Sequence, residues 1–205
     1  MGKKHQEGFT LIELLALMMV LALTLGIGVP AFTTMFANSR MSAAANDIVS
    51  SLQSARAEAT TRNRSVTLCA SSNWNVQRPD CDAGQSLLDG WIVFEDADTD
   101  GAVDAAEPVL QAHGPLDDSI RSQGRSRADI GPPQYLSFRD DGLLQDIPGP
   151  VAAVRNIQLC DARGNRDTGD GRAAGRWITI LPAGRPSLID SVARLQDAAN
   201  PLGGC

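Results

Sequence analysis

Residues 9–29 read Phe-Thr-Leu-Ile-Glu-Leu-Leu-Ala-Leu-Met-Met-Val-Leu-Ala-Leu-Thr-Leu-Gly-Ile-Gly-Val, an apolar run with a single carboxylate, Glu13. At about 1.5 Å of rise per residue, a helix over this run spans roughly 30 Å of hydrocarbon. A carboxylate inside such a helix costs several kcal/mol, so Glu13 marks a functional position. A short basic leader, Met1–Gly8 with Lys3 and Lys4, stands before it. Positive residues ahead of the span predict a cytoplasmic N-terminus and an exported C-terminal part. Val29-Pro30-Ala31 is a weak match to a secretory cleavage site, and Glu13 inside the apolar region speaks against an ordinary signal peptide.

The chain of 205 residues with 43% hydrophobic content supports one membrane segment and one modest globular domain. Loss of residues 1–8 removes two lysines and one glutamate, so a formal charge of −6 becomes −7. An acidic chain is poorly suited to general binding of nucleic acid or anionic lipid. The four cysteines, Cys69, Cys81, Cys160 and Cys205, form an even set in an exported domain and read as disulfides, with three connectivities open. No Cys-x-x-Cys spacing suggests redox catalysis or zinc.

Gly26, Gly28 and Pro30 weaken the helix where it leaves the bilayer. From Met41 the residues Met41, Ala45, Ile48, Leu52, Ala55 and Ala59 recur at steps of four and three, one stripe of an amphipathic helix. Arg40, Asp47, Ser51, Ser54, Glu58 and Arg62 fall on other faces. The stripe is expected to pack on a sheet. Beyond Asn63 come short β-rich runs at 65–69, 91–94, 108–111, 134–138, 156–160, 177–181 and 187–189, with turn signals at Asp140-Asp141-Gly142 and Pro182–Arg185. No long helical segment separates them, so the sheet is expected to be antiparallel, a small sandwich. The stretches 114–133 and 161–175, rich in Gly, Arg and Asp, read as mobile loops.

The run Gly8-Phe9-Thr10-Leu11-Ile12-Glu13 resembles the processing motif of the type IV pilin and pseudopilin superfamily. The resemblance implies cleavage after Gly8 by a prepilin peptidase, methylation of the new N-terminus at Phe9, and retention of the apolar helix. It gives Glu13 an assembly role, neutralising the N-terminal amine of a neighbouring subunit, and argues against the K-type tip pseudopilins, which usually lack that residue. Farther on, the chain carries a Val-Thr-Leu-Cys strand, a second Cys, Gly-Trp-Ile-Val-Phe, an acidic loop, a late Leu-Cys strand, and Ile-Thr-Ile leading to Gly-Arg and a terminal Cys. That order is similar to FimT/FimU-type minor pilins and to the related H-type pseudopilin of type II secretion. It implies the pairing Cys69–Cys81 and Cys160–Cys205, the second bridge fastening the tail.

Two further constellations stand out. Asp96, Asp98, Asp100, Gly101 and Glu107 fit the Asp-x-Asp-x-Asp-Gly-x5-Glu calcium-loop pattern, with Asp104 between them as a further ligand candidate. A preceding strand and a following Pro108 differ from an EF-hand, so a solvated acidic hairpin is the competing reading. Arginines gather late in the chain, among them Arg172, Arg176 and Arg185. DNA-binding FimT-type pilins use a Gly-Arg-x-Arg motif there; this chain has Gly184-Arg185-Pro186-Ser187, without the second arginine. Interleaved aspartates would offset the field that phosphate contacts need.

Catalysis has no motif to rest on: His5 lies in the leader and His113 stands alone beside Gly114-Pro115. The reading is therefore an α+β, non-enzymatic minor pilin. Residues 1–8 are the leader, 9–29 the transmembrane half-helix, 30–62 the amphipathic half, and 63–205 a disulfide-stapled β domain. It is expected to sit in the inner membrane with its β domain in the periplasm and then to enter a surface filament, where it helps to prime assembly at the tip. Its implied partners are major and minor pilins, the prepilin peptidase and the inner-membrane assembly platform. The alternatives are a DNA-binding pilin for uptake in transformation, and an H-type minor pseudopilin of type II secretion.

Overall fold

The computed structural model describes residues 9–121, 126–129, 131, 134–148 and 153–205; Gly8 of the processing motif lies outside them. The chain divides into two compact units, one ending at Ser39 and one running Arg40–Cys205. Helix α1, Leu11–Arg62, contributes to both.

Thr10 stands before the first helical residue, and its hydroxyl accepts the Glu13 backbone N–H at 3.3 Å. Thr10-Leu-Ile-Glu13 is thus a capping-box sequence, which satisfies one of the orphan amides of the first turn. The helix runs unbroken through Pro30, where the expected weakening produces no gap. The Thr33 and Thr34 hydroxyls both donate to the Pro30 carbonyl, at 2.9 and 3.0 Å. In the first unit the helix is long and apolar enough to cross a membrane, with a mean hydropathy of 2.4 over its best window and none of that window buried.

In the second unit the expected stripe is the core. Met41, Ala45, Ile48, Leu52, Ala55 and Ala59 are all buried, joined by Ala44 and by Ser51. Burial of Ser51 departs from the sequence reading, which put it on an outer face. Both sheets contribute side chains to the same cluster, so a wider arc of helix is covered than a single stripe. The Ser51 hydroxyl has no hydrogen-bond partner among the described residues.

The first sheet is antiparallel in the order β3-β2-β1-β5-β6, formed by Val109–His113, Trp91–Glu95, Val66–Ala70, Tyr135–Phe138 and Leu144–Gln145. Along β1, Val66, Leu68 and Ala70 join the helix-facing cluster, whereas Cys69 joins Ile92, Phe94 and Tyr135 in a second one. Alternation by two puts these sets on opposite faces, so this central strand is buried throughout. The second sheet runs β4-β7-β8-β9, from Arg127–Ala128, Asn156–Leu159, Arg172–Ile180 and Pro186–Ser191. Its Ile157, Leu159, Ile178 and Ile180 face the main cluster, while Ala173 and Trp177 pack with Leu195 of the short helix α3, Val192–Leu195.

The stretches read as loops hold regular structure. Helix α2, Asp118–Arg121, and strand β4 lie within 114–133, and Arg172–Gly175 opens β8. Small and charged residues hid these pieces from a reading based on β-branched runs. Two ion pairs bind the end of α1 to β2: Arg62 at 3.5 Å and Arg64 at 3.2 Å share Glu95. The disulfides are Cys69–Cys81 and Cys160–Cys205, the implied pairing.

Candidate functional site

Phe9 is 76% exposed, and Glu13 is exposed within a run of exposed leucines and methionines. Glu13 has no cationic partner among the described residues. An isolated carboxylate on an apolar helix is an unmet demand for a positive charge, and it falls four residues from Phe9.

The acidic loop is built from the end of β2. Asp96 is fully buried; its Oδ2 accepts the Thr67 hydroxyl at 2.6 Å and its Oδ1 accepts the Asp100 amide at 3.1 Å. Burial pushes the Asp96 carboxyl above its ordinary range, opposed by hydrogen bonds from the Thr67 hydroxyl and the Gly101 amide. Glu107 accepts the amides of Ala97 at 2.7 Å and Asp104 at 3.0 Å, and Asp100 accepts the Ala102 amide at 2.8 Å. One oxygen each from Asp96, Asp98 and Glu107 lies within 4.8 Å of the others. Asp100 and Asp104, which the sequence pattern also offered as ligands, are not part of that group. Asp100 is turned toward its own loop backbone. The Asp96 and Glu107 carboxylates are likewise engaged with loop amides and the Thr67 hydroxyl, a hairpin held by its own hydrogen bonds.

The three arginines singled out in the sequence have different fates. Arg176 is 7% exposed, its Nη1 donating to the carbonyls of Ala173 at 2.5 Å and Gly175 at 2.9 Å. Burial lowers its pKa, and the nearby Arg172 and Arg163 add to that. A guanidinium spent on carbonyls inside the sheet is not presented to a phosphate. Arg172 is exposed but pairs with Asp190 at 3.2 Å. Arg185 is exposed and has no carboxylate partner among the described residues.

Arg185 instead shares a cleft of about 520 Å³ with Gln53, Arg56, Ala57 and Thr60 of α1 and with Pro186. Two tight turns meet beneath it. One closes from the Gly142 amide to the Arg139 carbonyl at 2.8 Å, the other from the Gly184 amide to the Leu181 carbonyl at 2.8 Å. Gly142 and Gly184 have φ of +75° and +70°, and a Cβ on Gly184 would lie 2.3 Å from the Gly142 oxygen. That same oxygen accepts Arg56 Nε at 2.9 Å. Arg56 escaped the sequence reading, although it sits four residues after Leu52 and three before Ala59, at the border of the stripe.

His113 stacks on Trp91, ring centroids 4.0 Å apart and 4° from parallel, with Nε2 3.5 Å from Asp47 and Nδ1 2.7 Å from the Gly114 carbonyl. It links β3 to α1 and serves packing.

The family model for the type II transport protein GspH matches residues 44–184. Two crystal structures of the type IV minor pilin FimU from Pseudomonas aeruginosa strain PAO1 are also similar. The P21 form is 20% identical with a TM-score of 0.46, covering 74% of this chain and 89% of that one. The P65 form is 21% identical with a TM-score of 0.44, covering 72% and 91%. No curated protein matches the sequence.

Proposed function

Because the chain belongs to the GspH family, we propose that it is a non-enzymatic minor pilin that helps to prime a type IV pilus at its tip. The observation that carries this reading is Glu13, a lone carboxylate on an apolar half-helix none of whose apolar window is buried. A second subunit's N-terminal amine supplies the missing charge. Placing that amine on Phe9 requires cleavage after Gly8 by a prepilin peptidase, and methylation there keeps it basic.

Before assembly the apolar half-helix anchors the chain in the inner membrane, with Lys3 and Lys4 on the cytoplasmic side and the β domain in the periplasm. An assembly platform and neighbouring pilins then draw it into the filament. The DNA-uptake alternative loses support from the burial of Arg176 and the pairing of Arg172 with Asp190.

The test is complementation of a strain lacking this gene with wild-type or Glu13→Ala protein, scoring surface pili and protein secretion separately. Failure of Glu13→Ala to restore pili, with normal secretion and a folded β domain, is the expected result. Normal piliation with lost secretion would assign the chain to a type II secretion filament instead.

A further inference from the structure

We propose that the cleft between Arg56 and Arg185 is a carboxylate-binding site for an acidic segment of a neighbouring subunit. The assignment of the ligand to a subunit rests on the filament reading above; the chemistry of the cleft does not.

Seven of the sixteen arginines of the second unit are neutralised by a carboxylate among the described residues. Arg40, Arg62, Arg64, Arg139, Arg155, Arg163 and Arg172 each pair with an aspartate or glutamate. Arg56 and Arg185 have no such partner among the described residues, and they line one concavity together. Among the described residues no acidic side chain lines it, and Gln53 and Thr60 add neutral hydrogen-bonding groups. In a chain of net charge −6, two guanidinia without a carboxylate partner line one cleft.

The cleft is also built rather than incidental. Arg56 Nε is held on the Gly142 carbonyl, which leaves the rest of the guanidinium for a ligand. Gly184 is pressed against the same carbonyl, and this fixes where Arg185 leaves the turn. Two guanidinium groups lining one cleft suit a planar carboxylate, which can accept from both.

A carboxylate fits better than a nucleic-acid backbone. Affinity for DNA grows with the number of phosphates neutralised, and two arginines neutralise about two. A duplex laid across the cleft would also meet an acidic protein surface. An acidic side chain on a subunit needs only the cleft itself.

The experiment uses the full chain in non-ionic detergent and a fluorescent, end-blocked tetraglutamate peptide, followed by anisotropy at low and at physiological salt. A short DNA duplex and inorganic phosphate serve as competitors. Salt-sensitive peptide binding, weakened about tenfold or more by Arg185→Gln or Arg56→Gln, is expected. Arg185 is exposed, so its variant keeps the test sound if Arg56→Gln unfolds the turn junction. Absent peptide binding, or binding indifferent to Arg185→Gln, overturns the site. Displacement by the duplex at lower concentration than by free peptide reassigns the cleft to nucleic acid and overturns the carboxylate assignment. Full piliation by an Arg185→Gln strain whose protein no longer binds peptide overturns the neighbouring subunit as source. The minor-pilin reading stands or falls separately, on Glu13→Ala.

Discussion

A Cβ placed on Gly175 would lie 2.5 Å from Cys205 Sγ, so the bridge that fastens the tail occupies the space of a side chain. The Leu159 carbonyl at 3.1 Å and Leu195 Cδ2 at 3.3 Å close the other sides. Gly175→Ala is therefore expected to cost about 2–4 kcal/mol or to leave the bridge unformed. Thiol titration of the unfolded variant together with its melting temperature checks this; an intact bridge at unchanged stability would contradict it.

The two disulfides are expected to differ in worth. Cys160–Cys205 spans 45 residues and Cys69–Cys81 spans 12. On the loop-entropy account they stabilise by roughly 4 and 3 kcal/mol. Cys205→Ser should lower the denaturant midpoint more than Cys81→Ser. It should also raise hydrogen exchange at Asn200 and Leu202, whose contacts to Gln158 and Arg127 hold the tail.

Asp96 gives an acid-side signature. Its carboxyl is raised above the ordinary 3.8 by burial, so the native state keeps a proton that the unfolded chain has released. Stability contributed by this group is full below 3.8 and declines as pH rises from there through the native value. Asp96→Asn should abolish that slope and be at least as stable as the wild type at neutral pH. Thr67 can then turn its hydroxyl to Ser137 Oγ, 2.9 Å away. Denaturant melts across the acid range decide it; a slope that survives in the variant would assign it to other groups.

At the turn junction, Gly184→Ala combines an unfavourable φ of +70° with a 2.3 Å approach to the Gly142 oxygen. A loss of about 1–3 kcal/mol is expected. Thermal unfolding measures it, and a neutral result would mean that the two turns can separate freely.

The fold was readable where side-chain pattern alone decides it. The Met41–Ala59 stripe, the antiparallel runs and the Glu13 segment all follow from periodicity and hydropathy. Ser51 misled because its polarity suggested solvent, whereas coverage by two sheets decides its burial. Strands β4 and β6 are too short to carry a pattern, and the start of β8 is written in Ala and Gly. The cleft was half legible: Gly184-Arg185 stood out by resemblance. Its partner Arg56 is brought there by packing between elements 86 residues apart along the chain, through the Gly142 carbonyl. Arg176 looked like a surface cation because nothing local predicts that carbonyls of its own strand will receive it.

The shared grip of Arg62 and Arg64 on Glu95 has a mechanical consequence. Together with Arg56 on Gly142 and the buried alanine-rich stripe, it fastens about the last six turns of α1 to the β domain in parallel. A pull directed along the helix loads these attachments in shear, so they share the force and must fail together. Peeling from the Arg62 end would break them one at a time, and the ion pairs at Glu95 guard that end.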